Sequence, residues 1–224
     1  MATGLSADVP VERFASLAGL PVMHGFLGRV PGVNVRADRA TVLGRLEEHY
    51  RRARRDLGLE ARPMCTVEQV HSCEVVVLAA GEELPAVPVP GADGLVTNRA
   101  DVCLGIYVAD CGPLYLVDPT RRVIGLVHSG RKGTELGIAA AAVRTMAERF
   151  GSVPADLVAQ LGPCIRPPWY ETDFAAEIVR QLRAVGVGRV EDCGTCTAAD
   201  PEKYYSYRRE RGHTGRMLAL LALA

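Results

Sequence analysis

Three side chains in this sequence could form a reactive or metal-binding centre. His71, in Glu-Gln-Val-His-Ser, and His128, in Gly-Leu-Val-His-Ser-Gly, each close an expected strand. Cys111 sits in Ala-Asp-Cys-Gly-Pro, a tight connection between two further strands. Strand ends open into loops, so all three side chains can converge at one rim of a sheet. Imidazole and thiolate donors suit zinc or copper, and three protein ligands leave a fourth position for water or substrate. The donors lie forty and seventeen residues apart with no short ligand motif joining them. On residue chemistry alone, packed and hydrogen-bonded side chains are the commoner use of such positions.

Basic residues recur beside turn signals: Arg29 in HGFLGR, Arg131 and Lys132 in HSGRKG, Arg208 and Arg209 in YSYRRE, and Arg216 in HTGR. Glycine lets backbone approach an oxyanion that a neighbouring cation neutralises. No P-loop or GxGxxG pattern sharpens this reading. Cys193 and Cys196 form the one CxxC pair, without a second pair nearby, and read as two reduced thiols. Cys65, Cys73, Cys103 and Cys164 read as small core residues.

The elements that must position these groups follow from periodicity. Residues 36–58 place Leu43, Leu46, Tyr50, Ala53 and Leu57 on one helical stripe. From Met64 to His128 short β-branched runs (MCTVEQVH, CEVVVL, CLGIYV, PLYLVD, VIGLVH) alternate with turn residues. Their spacing is too short for helical crossovers, so mostly antiparallel hairpins are expected. Helical patterns return at 134–150 and 171–185, with LVAQLG between them as a strand. GEELPAVPVPGADG reads as an ordered surface loop, and the apolar tail Met217 to Ala224 as a buried terminal element.

With 224 residues, 26 basic and 26 acidic, 48% hydrophobic and 23% charged, the chain suits one globular domain. Zero net charge gives no footprint for nucleic acid, and no stretch is long enough to span a membrane. Small-molecule partners are expected. Seven cysteines, an odd number, and an N-terminus without a signal pattern point to a reduced, cytoplasmic protein.

Taken in order, HGFLGR, EQVHS, ADGLVTNRADVCLGIYVADCGPLYLVD, GLVHSGRKGTELGI, LGPCIRPPWYE and CTAADPEKYYSYRRERGHTGR resemble the YfiH-type laccase-domain family, also called multicopper polyphenol oxidases. The resemblance runs from about Val22 to the C-terminus, leaving residues 1–21 as a poorly ordered N-terminal extension of a single domain 1–224. It implies a mixed α/β (α+β) domain with mostly antiparallel central sheets flanked by helices, similar to the catalytic domain of cytotoxic-necrotizing-factor toxins. His71, Cys111 and His128 stand where that family has its zinc ligands.

The implied activity is purine nucleoside phosphorolysis of adenosine, inosine, guanosine and methylthioadenosine, with adenosine deamination beside it. A monomer or small homo-oligomer acting on nucleoside and phosphate is expected. Two departures stand out. Where relatives read His-Ala-Gly-Trp-Arg-Gly, this chain has His128-Ser-Gly-Arg131-Lys132-Gly, and PGVNVRADRA replaces a longer Gly-rich loop.

On this reading Arg29 and Lys132, with Arg131 or Arg216 in reserve, hold phosphate. Asp110 or Asp93 handles a proton or a ribose hydroxyl. The competing readings are a copper-dependent phenol oxidase, a Cys111/His128 hydrolase or deamidase, and a non-catalytic peptidoglycan-editing factor.

Overall fold

A computed structural model describes residues 9–224. In chain order the elements are β1 (Val11–Glu12), β2 (Val22–Leu27), α1 (Arg39–Asp56), β3 (Met64–Cys65), β4 (Val75–Leu78), β5 (Gly94–Thr97), β6 (Cys103–Val108), β7 (Gly112–Asp118) and β8 (Val123–Ser129). They continue with α2 (Arg131–Glu135), α3 (Ile138–Phe150), β9 (Val158–Leu161), α4 (Phe174–Ala184), β10 (Arg189–Asp192) and β11 (Met217–Leu223).

The strands form two sheets, ordered β1-β2-β11-β6-β3 and β10-β9-β7-β8-β5-β4. The mixed α/β class is as expected, but the hairpin expectation needs correction. Only β7 and β8 make a tight hairpin in the centre of the chain, and β3–β6, β4–β5 and β9–β10 pair in parallel. The Asp-Cys-Gly-Pro connection leads from β6 in one sheet to β7 in the other, so Cys111 lies where the chain changes sheets.

Side-chain alternation explains the stacking. On β7, Tyr115 and Val117 face the core between the sheets, while Leu114 and Leu116 face the helices. Ile124 and Leu126 of β8 join the first core, and Val123 and Val127 the second, where α3 and α4 supply Ile138, Val143, Met146, Ile178 and Leu182. A sheet covered on both faces needs apolar residues at consecutive positions, as the unbroken runs of β7 and β8 show. The terminal run becomes β11, buried along its whole length at the centre of the first sheet.

Helix α1 starts at Asp38, whose Oδ1 accepts the Thr41 backbone N–H at 3.0 Å. Its buried stripe is Val42, Leu46, Tyr50 and Ala53, so Val42 takes the inward place expected of Leu43. The helix expected at 134–150 is two helices, because Gly137 adopts φ +80° between them and breaks the hydrogen-bond ladder. Of the expected N-terminal extension, residues 1–8 lie outside the described residues. Residues 9–21 are packed: β1 pairs with β2, and Phe14 and Leu17 are buried. Cys73 is half-buried rather than a core residue.

Candidate metal centre and substrate cavity

Strand register brings the centre together. Pro113 of β7 stands opposite His128 of β8, which places Cys111 beside that histidine. Gly94 of β5 stands opposite Val127, and the His128 backbone N–H donates to the Asp93 carbonyl at 2.7 Å. His71 arrives on the loop between β3 and β4. The His71, Cys111 and His128 donor atoms all lie within 4.8 Å of one another, and Cys111 Sγ is 3.8 Å from His71 Nε2.

Asp93 fixes two of the three. Its buried carboxylate accepts the backbone N–H groups of Val70, His71 and Ser72 at 3.1, 2.9 and 2.7 Å, and the Ser72 hydroxyl at 2.9 Å. It also lies 2.8 Å from His128 Nδ1. Burial raises the Asp93 pKa, but the hydrogen bonds from His128 and Ser72 outweigh it and hold the group down at about 2. An ionised Asp93 fixes the proton on Nδ1 and leaves Nε2 as the donor toward the centre.

Backbone strain collects at the same place. Five non-glycine residues among those described have positive φ, and three of them, Gln69 (66°), His71 (64°) and Asp110 (86°), surround the centre. The Gln69 side chain stabilises its turn by bonding both the carbonyl and the N–H of Tyr107, at 2.5 and 3.0 Å. Asp110 accepts from the Thr197 hydroxyl and the Arg208 N–H, each at 2.7 Å, tying the Cys111 turn to two C-terminal loops. Gly130 leaves space for the thiol: a Cβ there would stand 2.5 Å from Cys111 Sγ.

Electrostatically, Cys111 and His128 favour each other's charged forms. Burial opposes charge on Cys111, yet His128 and then His71 outweigh burial and lower its pKa. Burial likewise opposes charge on His128, and the Cys111 and Asp93 anions raise its pKa instead. Zinc–nitrogen and zinc–sulfur bonds of about 2.0 to 2.3 Å set tetrahedral donors roughly 3.5 Å apart, so small adjustments bring this set onto one ion. Two imidazoles, a thiolate-prone cysteine and a carboxylate behind one imidazole suit a transition metal.

The centre opens into a cavity of about 510 Å³. Its lining includes Gln69, Tyr107, Asp110, Ile165, Tyr170, Phe174 and Tyr207, with four arginines: Arg39, Arg131, Arg208 and Arg216. Glu171 pairs with Arg208 at 2.8 Å and Arg131 at 3.6 Å. Among the described residues, Arg39 and Arg216 have no carboxylate partner. Burial and then the nearby Arg39 guanidinium lower the pKa of Arg216.

Several expected site residues are placed elsewhere. Arg29 does not line the cavity; it pairs with Glu210 at 2.7 Å, bonds the Tyr204 carbonyl and lies 4.4 Å from the Tyr205 ring centre. Lys132 is exposed on α2, outside the cavity lining. Asp93 is sealed from the cavity with its oxygens engaged, which removes it as a ribose or proton contact. Asp110 reaches the lining, but both carboxylate oxygens already accept hydrogen bonds, so it positions the Cys111 turn. Arg131 and Arg216 stay at the site. The cavity adds Arg39, Tyr107, Tyr170 and Phe174, of which Tyr107 and Tyr170 lie in resembling motifs, ADGLVTNRADVCLGIYVADCGPLYLVD and LGPCIRPPWYE.

Two stacked sheets between helices, with an open His/Cys/His centre where the chain crosses between them, define a mixed α/β protein with one rim-facing site. The chain belongs to the multi-copper polyphenol oxidoreductase laccase family, whose model matches residues 31–179 and 170–224. It is 31% identical to the purine nucleoside phosphorylase YlmD of Geobacillus stearothermophilus, over 92% of this chain and 89% of that protein. A purine nucleoside phosphorylase of Deinococcus radiodurans is 33% identical over 96% of this chain and 93% of its own. The crystal structure of YlmD from G. stearothermophilus superposes with a TM-score of 0.77 at 27% identity, covering 96% of this chain and 99% of that one. Bacillus licheniformis YfiH superposes with a TM-score of 0.76 at 25% identity, covering 91% and 93%.

Proposed function

We propose that this chain is a metal-dependent purine nucleoside phosphorylase, acting in the cytoplasm on nucleosides such as adenosine, inosine, guanosine and methylthioadenosine. The observation that carries the reading is the His71–Cys111–His128 centre at a cavity with two uncompensated arginines, Arg39 and Arg216. The names of the similar phosphorylases support the same class. Seven free cysteines suit a reducing compartment.

Phosphorolysis joins a phosphate oxygen to C1′ as the bond to the purine N9 breaks, so the site must hold a dianion against a sugar carbon that becomes positive. Arg39 and Arg216 hold the phosphate, and their mutual repulsion is relieved when it binds. Ile165, Tyr170 and Phe174 give the purine an apolar and aromatic wall. Burial raises the Tyr107 pKa to about 12, so its hydroxyl stays protonated and can donate to a sugar or base atom. His71, Cys111 and His128 would hold zinc, with copper the alternative, and the ion would supply Lewis acidity at the cavity mouth, chemistry that adenosine deamination would also need.

The test is purine release from adenosine, inosine and methylthioadenosine with and without phosphate, by chromatography that resolves inosine. Base and the 1-phosphate of the substrate's own sugar appearing only with phosphate support the reading; no release in any condition contradicts it.

A second reading has its own observation. Cys111, His128 and Asp93 line up as nucleophile, base and orienting carboxylate, the arrangement of a cysteine hydrolase or deamidase. A bound metal occupies the thiolate, so stoichiometric metal in the purified protein opposes this reading. Selective alkylation of Cys111 in metal-free, active protein supports it.

A further inference from the structure

Beside the catalytic cavity lies a second one, of about 950 Å³, and the two share Arg39, Tyr207 and Arg216 as a common wall. The second cavity is built by the segment leading into α1 and the turn before β11. Arg36 and Arg211, which line this cavity and not the first, have side chains without a hydrogen bond or ion pair among the described residues. Its two carboxylates are already committed: Asp38 caps α1 through Thr41, and Glu210 pairs with Arg29 while accepting from Ser206 and Thr214. Elsewhere arginines are commonly paired, as Arg51 and Arg55 are with Glu60, Arg99 with Asp101 and Arg166 with Asp192. In a chain of zero net charge, this cavity therefore concentrates uncompensated positive charge.

We infer that the second cavity is a phosphoryl subsite, bound by Arg36 and Arg211, which takes the ribose-linked phosphate of a purine nucleoside monophosphate whose base and sugar lie against the His71–Cys111–His128 centre. The nucleoside end rests on the function proposed above; the phosphoryl end rests on the charge and shape of the second cavity. A neutral nucleoside fills one cavity and leaves the other to solvent. A nucleotide spans both, and its dianion meets two planar guanidinium groups suited to phosphate oxygens.

The experiment is equilibrium binding of adenosine, adenosine 5′-monophosphate and inorganic phosphate to the metal-loaded protein, to the double variant Arg36→Ala/Arg211→Ala, and to Arg144→Ala/Arg149→Ala on α3 as a charge-matched control. Both arginines of the second cavity are exposed and unpaired, so the fold should survive their removal. Expected is binding of the monophosphate about tenfold tighter than adenosine, weakened by salt, with that advantage lost only in the first double variant. Equal affinity for monophosphate and nucleoside, or an advantage that survives Arg36→Ala/Arg211→Ala, overturns the inference. So does loss of inorganic-phosphate binding in that variant without any monophosphate advantage, which assigns the cavity to free phosphate. Monophosphate binding that depends on both arginines, in a protein without phosphorolysis, contradicts the proposed function and leaves the subsite standing.

Discussion

Asp93 Oδ1 lies 2.8 Å from His128 Nδ1, and the same carboxylate gathers the N–H groups of Val70, His71 and Ser72. One buried anion thus sets both the tautomer of one donor and the backbone turn that presents another. Asp93→Asn should lower metal affinity about 10- to 100-fold, since an amide cannot both accept the three N–H groups and fix the imidazole proton. Competition with a chelator measures it, and unchanged affinity would show that Asp93 does not govern the donors.

Gly130→Ala tests the crowding behind Cys111. A Cβ at 2.5 Å from Sγ forces the thiol or the backbone to move, with an expected stability loss of roughly 1–3 kcal/mol and weaker metal binding. Denaturant unfolding and metal titration read the two effects separately. A variant with native metal affinity would mean the turn yields without disturbing the donors.

Arg29 and Arg216 should separate stability from substrate binding. Arg29→Ala removes the Glu210 pair and the stack on Tyr205, and should cost about 1–3 kcal/mol of stability while leaving the KM for phosphate nearly unchanged. Arg216→Ala should raise that KM at least tenfold, and Lys132→Ala should change neither quantity. A rise in phosphate KM for Arg29→Ala or Lys132→Ala equal to that for Arg216→Ala would return the anion site to the residues the motifs suggest.

His24 predicts an acid-sensitive fold. Burial, with Arg13 adding to it, lowers its pKa from 6.5 to about 4, and its neutral Nε2 accepts the Phe14 N–H at 2.8 Å. The unfolded chain binds this proton more readily, so the stability contribution is complete above pH 6.5 and lost as pH falls through 4. The shift corresponds to roughly 3 kcal/mol. His24→Gln keeps an acceptor and removes the titration, so its stability curve should flatten between pH 6.5 and 4. Parallel curves for the two proteins would reject the assignment.

The legible part of this protein is the part carried by period and motif. Strands β6 to β9 and helices α1 and α4 follow from apolar spacing, and the three donors from strand-end residues within resembling motifs. The sheet change at Asp110–Cys111 was not legible, because a short Gly-Pro connection reads alike whether it turns back in one sheet or crosses to another. Gly137, flanked by helix-forming residues, concealed a break that its left-handed backbone makes necessary. Arg29 and Lys132 sit in glycine-rich motifs that suggest an anion, yet tertiary pairing claims the first and the outward face of α2 exposes the second. Arg39 carried no motif at all; its role depends on where α1 begins relative to β11.

The most direct measurement is phosphate-dependent release of hypoxanthine from inosine, made on the protein as purified, after chelation, after zinc is restored, and on Cys111→Ala. Turnover should rise in proportion to bound metal and recover on reloading, and a folded Cys111→Ala variant should show neither metal nor turnover. Full phosphorolysis by the chelated protein, or by Cys111→Ala, would contradict it.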